Sequence, residues 1–241
     1  MMENFQYYAP TKVVFGKGTE NKAGQLVKEQ NCRKVLIHYG SGSVKRSGLL
    51  DRIFASLDEE GISYISLGGV VPNPRLSLVY EGIDLCRREG VDFILAVGGG
   101  SVIDSAKAIG YGVENEGDVW DFYERKRQAC GCLPIGVVLT IAAGSEMSDS
   151  SVITNENGWL KRGYNSSYCR PKFAVMNPEL TMTLPKYQTA SGCVDIMMHT
   201  MERYFNHCDN MELTDGISEH LLRTVMKNAK ILMDEPQCYK A

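Results

Sequence analysis

Through the first two thirds of the chain, short apolar runs alternate with stretches whose apolar residues recur every three or four positions. Lys12-Val13-Val14-Phe15-Gly16 reads as a strand closed by a glycine turn, and Lys34 to Tyr39 as a clearer strand running into Gly40-Ser41-Gly42-Ser43. The segment from Leu49 to Glu60 places Leu50, Ile53, Phe54 and Leu57 on one helical face. Ser63 to Leu67 reads as the next strand. A helix from Leu76 to Glu89 turns Val79, Ile83 and Cys86 inward, and the unbroken apolar run Phe93 to Val97 ends in Gly98-Gly99-Gly100-Ser101. Pro134 to Thr140 supplies a further buried strand. Continuous apolar strands separated by helices signal a parallel sheet covered on both faces.

After Pro185 the period changes. Ala190, Val194, Met197, Met198, Met201 and Phe205 recur at helical spacing, and a second helix from about Met211 to Met233 carries Ile217, Leu221, Leu222, Val225 and Ala229 on one stripe. The expected organisation is α/β: an N-terminal Rossmann-like parallel-sheet domain over residues 1–180, followed by the start of an all-helical domain over residues 181–241. Two helices make a poor domain by themselves. They either pack on the sheet domain or across a dimer, or the chain lacks the elements that would cover them.

Composition excludes more than it identifies. The chain has 241 residues, 44% hydrophobic and 23% charged, with a formal net charge of −3. That is ordinary globular composition, and the slightly acidic balance argues against nucleic acid as the main partner. No apolar run is long enough for a membrane span, and Met1 to Gln6 has neither a basic nor an apolar leader region, so a cytoplasmic location without membrane association is expected. Eight cysteines lie scattered, with Cys130-Gly131-Cys132 the one close pair and no second pair to complete a zinc site; reduced thiols are expected.

The strongest local chemistry lies at Gly98 to Lys107. Glycines after a buried strand let backbone N–H groups approach a phosphate, the following helix points its positive end there, and Ser101 adds a hydroxyl. A ligand-free turn is the alternative, since the run departs from G-x-G-x-x-G. Gly40-Ser41-Gly42-Ser43, followed by Lys45-Arg46, carries no carboxylate to hold the two ribose hydroxyls of NAD. Its hydroxyls and cations suit a 2′-phosphate, which favours NADP(H) over NAD(H); a plain turn with two solvated cations is the alternative. Asn73, in the rigid Val71-Pro72-Asn73-Pro74 turn, either caps the next helix or touches a nucleotide. The segment from Thr140 to Glu146 presents hydroxyls and backbone after a strand, and Lys161-Arg162 is either a phosphate contact or a pair of exposed hairpin cations. Asp195 and His199, four residues apart on one helix, project from the same face, as a metal-ligand pair or as a hydrogen-bonded tether.

Taken together these motifs resemble the iron-containing (group III) alcohol dehydrogenases, in particular the butanol dehydrogenase branch. The resembling residues are Phe15 to Gly18, Tyr39 to Leu49, Val71 to Pro74, Gly98 to Lys107, Gly144 to Met147, Arg170 to Val175, Leu180 to Pro185, Gln188 to Gly192 and Asp195 to His199. The resemblance implies a dinucleotide-binding domain, a helical metal-binding domain and a hydride transfer between NADP(H) and a primary alcohol or aldehyde, in a homodimer. It places Gly40, Ser41 and Ser43 at the adenosine ribose or its phosphate, Asn73 near the adenine, Gly99, Gly100 and Ser101 at the pyrophosphate, and Thr140 and Lys161 further in. Asp104 joins the cofactor-binding set, and Asp195 and His199 become the first two of four ligands to Fe2+ or Zn2+. The family's other two histidine ligands lie on helices beyond residue 241, so the chain is expected to be a C-terminally truncated portion that binds nucleotide better than it catalyses. The loop after Thr140 is one residue shorter than the family pattern and lacks a proline, and Asn177 stands where aspartate commonly precedes the proline. A glycerol-dehydrogenase-like or dehydroquinate-synthase-like enzyme, or a non-catalytic nucleotide-binding fragment, remain the alternatives.

Overall fold

The computed structural model describes residue 4 and residues 6–241. In chain order the elements are β1 (Lys12–Phe15), α1 (Ala23–Lys28), β2 (Lys34–Gly40), α2 (Ser43–Arg46), α3 (Leu49–Glu59), β3 (Ser63–Val70), α4 (Leu76–Glu89), β4 (Phe93–Gly98) and α5 (Gly100–Glu114). They continue with α6 (Trp120–Tyr123), β5 (Ile135–Leu139), β6 (Ser150–Asn155), β7 (Leu160–Asn165), β8 (Phe173–Met176), α7 (Lys186–Tyr204) and α8 (Glu212–Asp234). Six strands form one parallel sheet in the order β1-β8-β5-β4-β2-β3, and β6 and β7 form a separate antiparallel hairpin. The α/β fold expected from the alternating pattern is the one observed. The hairpin weighed for Lys161-Arg162 is present, with both residues in β7, whereas the short helices α1, α2 and α6 and the four-residue β8 carry too few residues to show a period.

The chain divides into two compact units, one of Ala9–Asn177 and one of Pro178–Ala241 together with the described residues before Ala9. In the larger unit all six residues of β4 are buried, as are Val35, Leu36 and Ile37 of β2 and Val137 and Val138 of β5. Helices α1 and α3 pack together, and α4 packs on α5. Connections that step in opposite directions along a parallel sheet lie on opposite faces. The contact between α4 and α5 is close because glycine faces isoleucine twice. A Cβ on Gly82 would sit 2.4 Å from Ile109 Cδ1, and one on Gly112 would sit 2.1 Å from Ile83 Cδ1.

Two buried polar groups tie these layers. His38, fully buried in β2, bonds through Nδ1 to the Leu67 carbonyl at 2.9 Å and through Nε2 to Ser105 Oγ at 2.9 Å. The carbonyl only accepts, so Nδ1 carries the proton and Nε2 accepts from the serine. At the other end of the sheet, buried Asn177 donates its amide to Glu20 Oε2 at 2.8 Å, and Arg52 pairs with Glu20 Oε1 at 3.2 Å. The departure from the family's aspartate at position 177 thus supplies a donor to a buried carboxylate.

In the smaller unit α7 packs against α8, and Thr200 and Ser218 are the buried residues of the two helices. Val194, Met198, Phe205, Leu213, Ile217, Leu221 and Met226 are exposed, so both apolar stripes are largely uncovered within the described residues. Ahead of β1 the described residues carry no strand, and β1 itself runs parallel to β8. Among the described residues no helix is long and apolar enough to cross a membrane, and all eight cysteines are free thiols.

Burial holds the His38 ring neutral, with its pKa lowered to about 4. Between pH 6.5 and 4 the unfolded ring binds a proton that the folded ring refuses, so stability is full above pH 6.5 and is lost as pH falls toward 4. The His38 contribution is about 3 kcal/mol across that window. Urea denaturation at pH 7, 5.5 and 4 should show this slope, and an imidazole carbon-shift titration should leave His38 neutral at pH 5. A ring that titrates near 6.5 in the folded chain would contradict the assignment.

Candidate functional site

The sheet order places the candidate residues. From β2 the chain steps to β3 on one side; it then returns across β2 to β4 and goes on to β5 on the other side. The order therefore reverses between β2 and β4, which pair in parallel from Val35 opposite Phe93 to Tyr39 opposite Val97. In open parallel sheets the crevice outside the carboxyl ends at such a reversal is the ligand position. Gly40 to Ser43 and Gly98 to Ser101 leave these two strand ends side by side.

Helix α5 starts at Gly100; Val102 and Ile103 donate their N–H groups to the Gly99 carbonyl at 3.0 and 3.1 Å, and no side chain caps the N–H groups of Gly100 and Ser101. Gly99 and Gly100 sit under the loop from Ile141 to Asp149. A Cβ on Gly99 would lie 2.4 Å from Ile141 Cγ2, and one on Gly100 would lie 3.2 Å from Ala143 Cβ and 3.7 Å from Ser145 Oγ. A Cβ on Gly98 would meet Val102 at 2.5 Å. The glycines thus have a packing reason as well as a phosphate-binding one. Ser101 is half-buried beside them, and Thr140, also half-buried, donates its N–H to the Gly98 carbonyl at 3.1 Å.

At the β2 end, Ser41 and Ser43 are exposed, and Ser43 opens α2. The Lys45 ammonium stands 5.1 Å from the centre of the Tyr39 ring, and Arg46 Nη1 lies 2.9 Å from where a Cβ on Gly42 would be. Among the described residues neither cation is ion-paired.

Asn73 does not cap α4, whose N-cap is Arg75 without a side-chain cap bond. It adopts φ 57°, and its Oδ1 accepts from Lys161 Nζ at 2.8 Å, joining residues 88 positions apart. The β6–β7 hairpin is held on this turn, with Thr154 N–H donating to the Pro74 carbonyl at 2.8 Å and Arg75 stacked 4.8 Å from the centre of the Trp159 ring. Since an ammonium only donates, Lys161 fixes the amide so that Asn73 offers N–H donors to anything beside it.

Asp104 is buried. Its Oδ2 accepts the Val152 N–H at 3.2 Å, while Oδ1 is buried with no hydrogen-bond partner among the described residues. Burial pushes its pKa up against the pull of the Ser145 hydroxyl, the Lys107 ammonium and the Val152 N–H. Oδ1 is sealed from solvent, and an ionised carboxylate only accepts, so Asp104 is matched to a donor and not to a phosphate oxygen. Lys107, to which the sequence assigned no role, is completely buried, and its Nζ donates to the carbonyls of Ser145, Ser148 and Ser150 at 2.8, 2.9 and 2.8 Å. Burial pushes its pKa down. Every residue of α5 from Val102 to Gly112 is buried, so the lysine has no solvated face to occupy.

Asp195 and His199 are exposed on α7 in the other compact unit. Among the described residues no three His, Cys, Asp or Glu side chains gather as a metal cluster. A metal centre takes three or four protein ligands, so these two residues do not make one by themselves.

Residues 10–178 match the model of the iron-containing alcohol dehydrogenases, and residues 189–241 match the C-terminal model of the same family. The chain belongs to the iron-containing alcohol dehydrogenase family. It is 45% identical to the probable NADH-dependent butanol dehydrogenase 1 of Bacillus subtilis, a match covering 99% of this chain and 62% of that protein. It is 36% identical to the NADPH-dependent aldehyde reductase YqhD of Escherichia coli, again over 99% of this chain and 62% of that protein. Its fold matches the crystal structure of an NADH-dependent butanol dehydrogenase A from Thermotoga maritima with a TM-score of 0.96 at 44% identity, over 99% of this chain and 60% of that one. The chain therefore spans about three fifths of the length of these family members.

The geometry around Gly99 makes a direct prediction. Gly99→Ala forces Ile141 aside and should lower stability by about 1–3 kcal/mol, the usual range for overpacking. Urea denaturation measures it, and a change below about 0.5 kcal/mol would mean that the loop yields freely.

Proposed function

We propose that this chain is the nucleotide-binding part of an NADP(H)-dependent alcohol dehydrogenase or aldehyde reductase acting on small primary alcohols and aldehydes. The observation that carries the proposal is the pairing of the two glycine-serine loops at the carboxyl ends of β2 and β4, where the sheet order reverses. The family membership supports it. The donor set fits a dinucleotide: uncapped N–H groups at Gly100 and Ser101 for the pyrophosphate, donors from Asn73, and a carboxylate at Asp104 matched to a donor. When bound, such a cofactor supplies hydride transfer at its nicotinamide ring. The chain's own part is to hold both ends of the molecule and fix its approach.

Gly40, Ser41 and Ser43 would take the adenosine ribose or its phosphate. With Lys45 and Arg46 nearby and no carboxylate at the strand end, they favour the 2′-phosphate of NADP(H). Gly99, Gly100 and Ser101 would cradle the pyrophosphate, with Thr140 and Lys161 along the path and Asn73 toward the adenine. Asp195 and His199 would be two ligands of a divalent metal, Fe2+ or Zn2+, which when bound would polarise the substrate oxygen as a Lewis acid. A homodimer in the cytoplasm is the expected setting, in keeping with eight free thiols.

Titration of the purified chain with NADPH and NADH, followed by nicotinamide fluorescence, tests the proposal. NADPH should bind at least about tenfold more tightly, a difference of about 1.4 kcal/mol, and Ser43→Asp should erase that preference by facing the 2′-phosphate with a carboxylate. Butanal turnover is expected to be absent or slow. Binding of neither nucleotide would overturn the assignment, and tighter NADH binding would overturn the 2′-phosphate site alone.

A further inference from the structure

The Lys107 ammonium lies inside the protein without an ion-paired carboxylate among the described residues; its partners are three main-chain carbonyls and Ser148 Oγ at 3.3 Å. All four oxygens come from residues 145–150, the end of the loop that leaves β5 and enters β6. Such a cage of carbonyls is what strips and replaces the hydration of a monovalent cation. Burying an ammonium is costly unless its donors are satisfied, and charge-assisted bonds to carbonyls satisfy all three here. The same loop lies against the glycine turn, through Ile141 at Gly99 and Ala143 and Ser145 at Gly100. It also delivers the Val152 N–H to Asp104 as β6 begins.

We propose that Lys107 is a positioning residue: its ammonium is a built-in cation that gathers the 145–150 carbonyls and so sets the wall over the turn where the dinucleotide phosphates bind. The inference rests on the nucleotide site proposed above, and Lys107 itself touches no ligand in it. Ser148 contributes both a carbonyl and its hydroxyl, so the loop folds around the charge rather than merely past it. The lysine stem reaches this point from the middle of α5, where every neighbouring residue from Val102 to Gly112 is buried. The loop conformation is thereby tied to the helix whose N-terminus faces the phosphates.

The test compares Lys107→Ala and Lys107→Met with the unmodified chain, reading amide hydrogen exchange over residues 141–150 and affinity for NADPH and NADH. In the unmodified chain, saturating nucleotide should slow exchange in that loop. Lys107→Ala should raise loop exchange and weaken nucleotide binding at least tenfold. Ammonium or ethylammonium chloride should restore both, and tetramethylammonium should not, because it has no N–H to give the carbonyls. Lys107→Met fills the channel without charge, so it should show the loss without the rescue; it also serves if the alanine variant is too unstable to study. Unchanged loop exchange in both variants, a methionine variant that binds nucleotide as the unmodified chain does, or loop loss without affinity loss would each overturn the proposal. An unmodified chain that binds neither nucleotide would overturn the underlying site instead, while the exchange and rescue measurements would still report on the clasp.

Discussion

The complete burial of β4, and of Val102 to Gly112 in the helix that follows it, is the constraint around which the larger unit is organised. A strand covered on both faces must satisfy its backbone through both neighbours, and β4 does so by parallel pairing with β2 and β5. Because it is buried to its last residue, the chain must turn into α5 under the β5–β6 loop, where side chains at Gly98 and Gly99 would collide with Val102 and Ile141. Because α5 is buried as well, its polar residues must find internal partners. Ser105 meets His38, Asp104 meets the Val152 N–H, and Lys107 meets three carbonyls. The polar network and the phosphate-binding turn follow from the same packing requirement.

That network brings distant segments to one place. The Lys161–Asn73 bond crosses 88 positions, and the Lys107 bonds cross 38 to 43. In each case a cation on a flexible stem bonds oxygens of a distant segment and so ties that segment to its own element. The two cases differ in exposure. Lys161 is exposed, and its bond competes with water, so its value lies in orienting an amide rather than in stability. Lys107 is sealed from water, and losing its partners would leave a buried charge unsatisfied.

The helical unit follows different physics. Its two helices pack on each other but leave none of their apolar residues fully buried within the described residues, and its two candidate metal ligands stand without a cluster of further ligands around them. The chain spans about three fifths of the length of the relatives named above, and the larger unit contains the paired glycine-serine loops.

Local pattern determined a great deal. The unbroken apolar run at Phe93 to Val97 has the length and composition of a strand buried on both faces, and the three- and four-residue repeats of Leu49 to Glu59 and Leu76 to Glu89 leave one helical face to bury. Hydrophobic periodicity is a property of neighbouring residues and needs no tertiary information, which is why these elements and the parallel α/β class were legible. The bounds of the hairpin strands Ser150–Asn155 and Leu160–Asn165 were not, since the exposed strand alternates weakly and the hairpin's stability comes from docking on the Pro74 turn. Glycine and serine at the strand ends were visible, but their meaning came from the sheet order that sets β2 beside β4. The partnerships of Lys107, Asp104 and Asn73 were decided by the tertiary structure alone, because a side chain's buried partner lies tens of residues away and is selected by packing, not by the residues next to it.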